Sequence, residues 1–214
     1  FGTVEKNPVA TGADLVAYRF PNAGDYLKQP TNSDLDSSSY TFMAWFKTGS
    51  TYENIFSLRA TDDTGSFIHL DIAPTVLKAS INPITGTTVL PESSNDVDTN
   101  TWQHAALVYQ AGSICTLYLN GEVADTADVS DHTDTTFFDG VDDPALSVGV
   151  RTDGTSNRFN GYGISLLRIS TTIASPEQIK KIYEDEKVLF QENAQATLDG
   201  DSDAVTALAY DDST

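Results

Sequence analysis

The stretch WQHAALVYQAGSICTLYLNGEVADT, residues 102–126, sets the architecture of this chain. Trp102, His104, Ala106 and Val108 alternate with Ala105, Leu107 and Tyr109, so the first strand is largely apolar on both faces. Successive side chains of a strand leave on opposite faces, and a strand apolar on both belongs between layers, not at a half-wet surface. The chain turns at Ala111-Gly112, alternates again from Ile114, and turns once more at Asn120-Gly121. Asn and Gly both tolerate the positive φ of a tight hairpin, so this pair is the strongest short-range hairpin signal present. An antiparallel meander is predicted here.

On either side of the meander the same grammar continues. LVAYRF (15–20), YTFMAWF (40–46), NIFSLR (54–59), SFIHLDI (66–72), VLKASI (76–81) and TTVL (87–90) are aromatic or β-branched runs of strand length. ALSVGV (145–150) and RFNGYGISLLRIS (158–170) extend the set downstream. Turn-forming clusters separate them, and PESSNDVDTNT (91–101) reads as a long polar loop. Many strands with no helix between them exclude a βαβ architecture and predict an all-β sandwich or jelly roll of antiparallel sheets.

The period changes at Ser175. Ser175 is a candidate N-cap, Pro176 suits the first helical position, and Glu177 lies in the first turn. Ile179, Ile182, Tyr183, Leu189 and Phe190 fall on one helical stripe, which either packs on the sandwich or meets copies of itself. The expected organisation is a sandwich over 1–172, a C-terminal helix over 173–196, and a short tail, 197–214. The tail reads as a linker or the start of a further module, since AVTALAYDD (204–212) is strand-like. With Phe1 at the start and no basic, apolar leader behind it, the chain is expected to be a processed product or a segment of a longer one.

A formal charge of −19, from 31 acidic against 12 basic residues, disfavours phosphate backbones and anionic membranes as partners. No run approaches the roughly 18 uninterrupted apolar residues of a membrane span, so no membrane insertion is expected. The acidic excess reads either as solubility or, more sharply, as loops that hold calcium through oxygen ligands. The single cysteine, Cys115, has no internal partner and sits between Ile114 and Thr116, where a thiol acts as a small hydrophobe.

Taken in order, YTFMAWF, NTWQHAALVY with TLYLNGE, and LSVGVR with RFNGYGISLLRIS and ASPEQIKKIYED resemble the laminin-G-like, concanavalin A-like lectin/glucanase superfamily over residues 14–186. The resemblance implies a jelly roll of two antiparallel sheets, a structural calcium, and a rim that binds sugar or protein. Where many relatives carry an acidic residue in a Gly-x-x-Asp-x-x-Arg-Ile strand, this chain has Ser165. The segment from Ser175 to Thr214 also resembles the region C-terminal to such domains in bacteriophage tail and virion proteins. That implies a virion or other extracellular location, with homotrimers or other virion proteins as partners through residues 175–196.

The superfamily includes glycosidases, whose paired carboxylates commonly stand as Glu-x-Asp-x-x-Glu on one strand. No such spacing occurs, and Glu53, Glu92 and Glu122 stand singly, so a non-catalytic module for cell-surface glycans or a receptor is expected, ahead of an assembly domain or a polysaccharide hydrolase or lyase. His69 and His104 lie within strands and read as core or rim; His132 reads as exposed and has no second ligand at zinc spacing. Candidate calcium ligands are Asp62 and Asp63 (with Thr64), Asp139, Asp142 and Asp143, and Asp153 (with Asn157). No one cluster supplies the six to eight oxygens calcium takes, so two loops must meet; otherwise these residues simply form turns. Tyr52, Phe137, Phe138, Phe159 and Tyr162 lie in or beside loops, most of them expected in the core with one or two exposed. From these, Tyr52, Phe138 and Tyr162, together with Asn157, form the candidate ligand-binding set.

Overall fold

Tyr40, Phe42, Ala44 and Phe46 share one strand parity and Thr41, Met43 and Trp45 the other, and the computed structural model buries both sets. It describes residues 2–10, 13–22, 24–49, 52–60, 65–138, 144–151 and 157–191. Strands run β1 (Glu5–Pro8), β2 (Val16–Arg19), β3 (Leu27–Gln29), β4 (Ser39–Lys47), β5 (Glu53–Ala60), β6 (Phe67–Ile72) and β7 (Val76–Asn82). They continue with β8 (Glu92–Asp96), β9 (Gln103–Gln110), β10 (Ile114–Leu119), β11 (Glu122–Asp128), β12 (Pro144–Val148) and β13 (Gly163–Ser170), followed by helix α1 (Pro176–Glu186). A seven-stranded antiparallel sheet has the order β1-β2-β13-β4-β9-β10-β11; a six-stranded one has β3-β12-β5-β6-β7-β8. The expected sandwich of two antiparallel sheets is present, and the meander of residues 102–126 is β9, β10 and β11.

Between the sheets lie Phe42, Phe46, Phe56, Leu58, Leu70, Leu107, Leu117 and Cys115, with the rings of Phe42 and Phe56 stacked at 4.4 Å. Desolvation in this core pushes the Cys115 thiol far above its ordinary range, consistent with a packing role. The opposite parity of β4 and β9 is covered by α1. Ile179 packs into Met43, Ala106, Val108 and Tyr118, while Tyr183 and Phe190 stack on Trp45 at 5.7 and 4.2 Å. The two-faced apolarity of the central strands therefore reflects three layers: sheet, sheet and helix.

α1 begins as expected. The Ser175 Oγ accepts from the Gln178 N–H, the Gln178 side chain accepts from the Ser175 N–H, and Pro176 takes the first turn. The helix ends sooner than expected, passing into a 3₁₀ turn at Lys187–Phe190; residues 192–196 and the tail 197–214 lie outside the described residues. Leu189, read on the same helical stripe as Ile179 and Phe190, is exposed at 46% and does not pack on the sandwich with them. At the far end of α1, Glu186 accepts from Trp45 Nε1 at 2.8 Å and pairs with Arg168. Among the described residues no helix is long and apolar enough to cross a membrane.

Two strand expectations are corrected. β8 runs through the stretch read as a loop; it is an edge strand held by Ser93, whose Oγ accepts from Leu77 N–H at 3.0 Å, and its other side chains face solvent. Conversely, TTVL (87–90) makes only an isolated bridge through Val89, because backbone groups of Thr87 bond to the Asp131 carboxylate and the His132 ring. His132 is accordingly buried, not exposed: Tyr109 Oη–H donates to its Nδ1 and its Nε2–H donates to the Thr87 carbonyl, which fixes the tautomer.

Candidate functional site

One end of the sandwich gathers the end of β4 with the starts of β5, β9 and β13. There the segment 157–162 is tied to the connection 47–54. Asn54 N–H donates to the Asn157 carbonyl at 2.6 Å, and Tyr162 N–H donates to the Lys47 carbonyl at 2.7 Å. Glu53, fully buried, joins the two from below: its carboxylate accepts from Thr48 Oγ1 at 2.6 Å and from Asn160 N–H at 2.8 Å. Burial pushes its carboxyl up to about 7, although both hydrogen bonds pull the other way.

Two aromatic rings stand out of this frame. Tyr162 is 49% exposed, rests on Gly49, and lies below the Lys47 ammonium, 5.3 Å from the ring centroid. Tyr52 is 59% exposed and its backbone sits at φ 82°, a left-handed conformation that is costly for a residue with a Cβ. Asn157 is half-buried and also left-handed, at φ 49°, which Asn tolerates better. Tyr52, Tyr162 and Asn157 are thus brought to one end. Phe138 is not: it is completely buried near the start of β4, its ring against Phe137 and its N–H donating to Asp36, so it has no face to offer a ligand.

Beside Glu53, but on the other face of the six-stranded sheet, is a second buried polar group. Asn54 stands opposite Asp71 while Glu53 stands opposite Ile72. Asp71 accepts from Asn54 Nδ2 at 2.8 Å and from Arg151 at 2.7 Å; Asn54 Oδ1 and Arg151 Nε make no hydrogen bond. Because strand side chains alternate, Glu53 and Asp71 cannot flank one scissile bond.

All six candidate calcium ligands, Asp62, Asp63, Asp139, Asp142, Asp143 and Asp153, lie outside the described residues, as does Thr64. Among the described residues no three histidine, cysteine or acidic side chains group closely enough to hold a metal ion. Ser165, at the family's acidic position, is buried and donates to the Val16 carbonyl at 3.0 Å, which ties β13 to β2. His104, read as core or rim, is in the core; its two ring nitrogens make no hydrogen bond, and the ring lies 5.3 Å from that of Trp45. Sequence reasoning missed Lys47, the Asn54–Asp71–Arg151 group and the buried state of Glu53. The available signal was the polar pair Glu53-Asn54 opening an otherwise apolar strand.

The family model for the concanavalin A-like lectin/glucanases matches residues 21–180. The chain belongs to that superfamily. No curated protein sequence matches it. Among solved structures it is similar to domain 4 of a GH43 extracellular arabinanase from Geobacillus stearothermophilus, solved with arabinotriose. There the identity is 19%, the TM-score 0.64, and the match covers 86% of this chain and 82% of that one. A heptameric SAP-like pentraxin from Limulus polyphemus gives 14% identity and a TM-score of 0.61 over 82% and 84%. The receptor-binding domain of botulinum neurotoxin D gives 15% and 0.63 over 88% of this chain and 47% of that one. At these identities the likeness carries the superfamily's fold.

Proposed function

We propose that this superfamily member is a non-catalytic recognition module that binds a cell-surface glycan at the Tyr52–Tyr162 end. The observation that carries the proposal is the pair of exposed rings held on a frame of buried hydrogen bonds. Tyrosine supplies a rigid apolar face for the C–H side of a sugar and a hydroxyl for its rim, and a pre-bonded frame lowers the ordering cost of binding. The arabinotriose-bound arabinanase domain and the toxin receptor-binding domain support recognition as the use of this fold. The opposed faces of Glu53 and Asp71 favour binding over hydrolysis.

Calcium belongs to the same proposal. Ala60 and Pro144, which flank the stretches with Asp62–Asp63 and Asp139–Asp143, are paired, whereas Arg151, just before Asp153, lies beyond the opposite end of β12. That favours an ion shared by the first two stretches. Placement on a virion, or otherwise outside the cell, rests on the resemblance of the C-terminal segment.

The test is a glycan array followed by calorimetry on the best binder. Tyr162→Ala and Tyr52→Ala should each weaken binding about tenfold, the equivalent of roughly 1.4 kcal/mol. An array without hits, with and without calcium, would overturn the proposal. A second reading, assembly through the C-terminal segment, is favoured by the exposure of Ile173, Val188 and Leu189 beside the docked helix. A monomer in light scattering at high concentration would end it.

A further inference from the structure

A cleft of about 330 Å³ opens at the same end, between β8, the start of β9 and the β10–β11 turn. Its wall carries Asp96, Asp98, Gln103, Asn120, Glu122 and Val123. The 97–102 connection separates it from the tyrosines and is tied to their frame, since Asn100 N–H donates to the Thr48 carbonyl at 2.8 Å. Gln103 is the unusual member. It shares the parity of Ala105 and Leu107, so it points between the sheets; it is only 4% exposed, and its Oε1 has no hydrogen-bond partner. An amide oxygen left buried and unpaired is costly, and a ligand hydroxyl that reaches it from within the cleft would remove that cost.

The other groups define what such a ligand is. Asp98 is exposed at the rim, while Asp96 accepts from Thr75 and Glu122 pairs with Lys180. The wall therefore presents hydrogen-bond acceptors and negative charge, and Val123, 54% exposed, adds an aliphatic surface. No three of the described acidic groups converge as metal ligands would, which favours hydroxyl donors over an ion. We infer that this cleft is a second sugar subsite, selective for uncharged hydroxylated units and closed to uronic or sialic acids by the carboxylates of its own wall. This inference rests on the glycan-binding reading above: a chain engaged at Tyr52 and Tyr162 extends across the 97–102 connection into the cleft.

The experiment tracks backbone amide shifts of the whole chain during titration with neutral arabino- and cello-oligosaccharides, from disaccharide to hexasaccharide, and with oligogalacturonides. Neutral hexasaccharides should move amides near Asn95, Asp98 and Gln103 as well as those near Tyr52 and Tyr162; oligogalacturonides should leave the Asp98 and Gln103 amides unmoved. Asp98→Asn and Gln103→Met should weaken the hexasaccharide about tenfold and leave the disaccharide unchanged. Shifts confined to the tyrosine end, equal effects of galacturonides at the cleft, or a Gln103→Met variant that only gains thermal stability would overturn the subsite and leave the glycan reading standing. Silence at both places would overturn both.

Discussion

Two buried titratable residues pull the stability of this molecule in opposite directions. His104 is completely buried, and desolvation holds its imidazole down to about 4, with Glu186 partly opposing and Arg168 adding to the effect. As pH falls from 6.5 toward 4, the unfolded chain gains a proton that the folded one refuses, so stability is lost over that window, by an amount on the order of 3 kcal/mol. Glu53 behaves in the reverse sense. Its carboxyl is pushed up to about 7, so as pH rises from 4.5 the unfolded state ionises first and stability is lost until pH 7. Between about pH 4.5 and 6.5 the two slopes oppose each other. Denaturant titrations across pH 4–8 should therefore find wild type flatter than either variant. Glu53→Gln should gain stability relative to wild type as pH rises to 7, and His104→Leu should lose the acid-side decline; parallel profiles for all three would refute the assignment. The burial of Glu53 was not legible in the sequence, whereas His104 was readable as core or rim but its cover was not. Glu53 opens a strand, where a carboxylate reads as a solvent-facing end, and His104 alternates with apolar residues whose cover lies more than 70 positions downstream in α1.

At the scale of elements, the helix is joined to the sandwich by few but specific contacts. The Asn120-Gly121 turn adopts positive φ at both residues, 52° and 79°, as a tight hairpin of this hand requires. A Cβ on Gly121 would also lie 2.8 Å from Tyr183 Cδ1, so the glycine is needed both for the turn and for the seat of the helix. Gly121→Ala should cost on the order of 1–3 kcal/mol through backbone strain, and Phe190→Ala about 3 kcal/mol through lost packing on Trp45. Amide exchange should show α1 losing protection in both variants while β4 and β9 keep theirs. Uniform loss would mean that helix and sandwich unfold as one unit. The helix start, the Asn-Gly hairpin and the central strands were legible because each is written in local residue types. β8 was not, since Glu92, Ser94, Asn95 and Asp96 face solvent and the partners that shape the segment, the β7 backbone and the Asp125 carboxylate, lie elsewhere in the chain.

For the whole molecule, charge is the governing quantity. At −19 the chain repels itself, so monovalent salt should raise its thermal midpoint by screening alone. Calcium at equal ionic strength should raise it further, by mass action on the folded state, and EDTA should reverse only that increment. Equal midpoints in calcium and matched sodium chloride would argue that the acidic stretches are turns in water. The jelly roll was readable from strand rhythm and from the order of its motifs. The candidate binding end was only half readable, because exposure is not encoded locally: Phe138 and Tyr162 look equally loop-like in sequence, yet one is sealed in the core and the other stands in solvent. The three-layer arrangement has a spectroscopic consequence. Both tryptophans of the chain touch Phe190, Trp45 at 4.2 Å and Trp102 at 5.0 Å between ring centroids, and Trp45 also neighbours the His104 ring. The entire indole emission of the protein thus originates at one joint. Its wavelength reports whether the C-terminal segment is seated, its intensity reports whether the neighbouring imidazole carries a proton, and the rest of the sandwich stays dark.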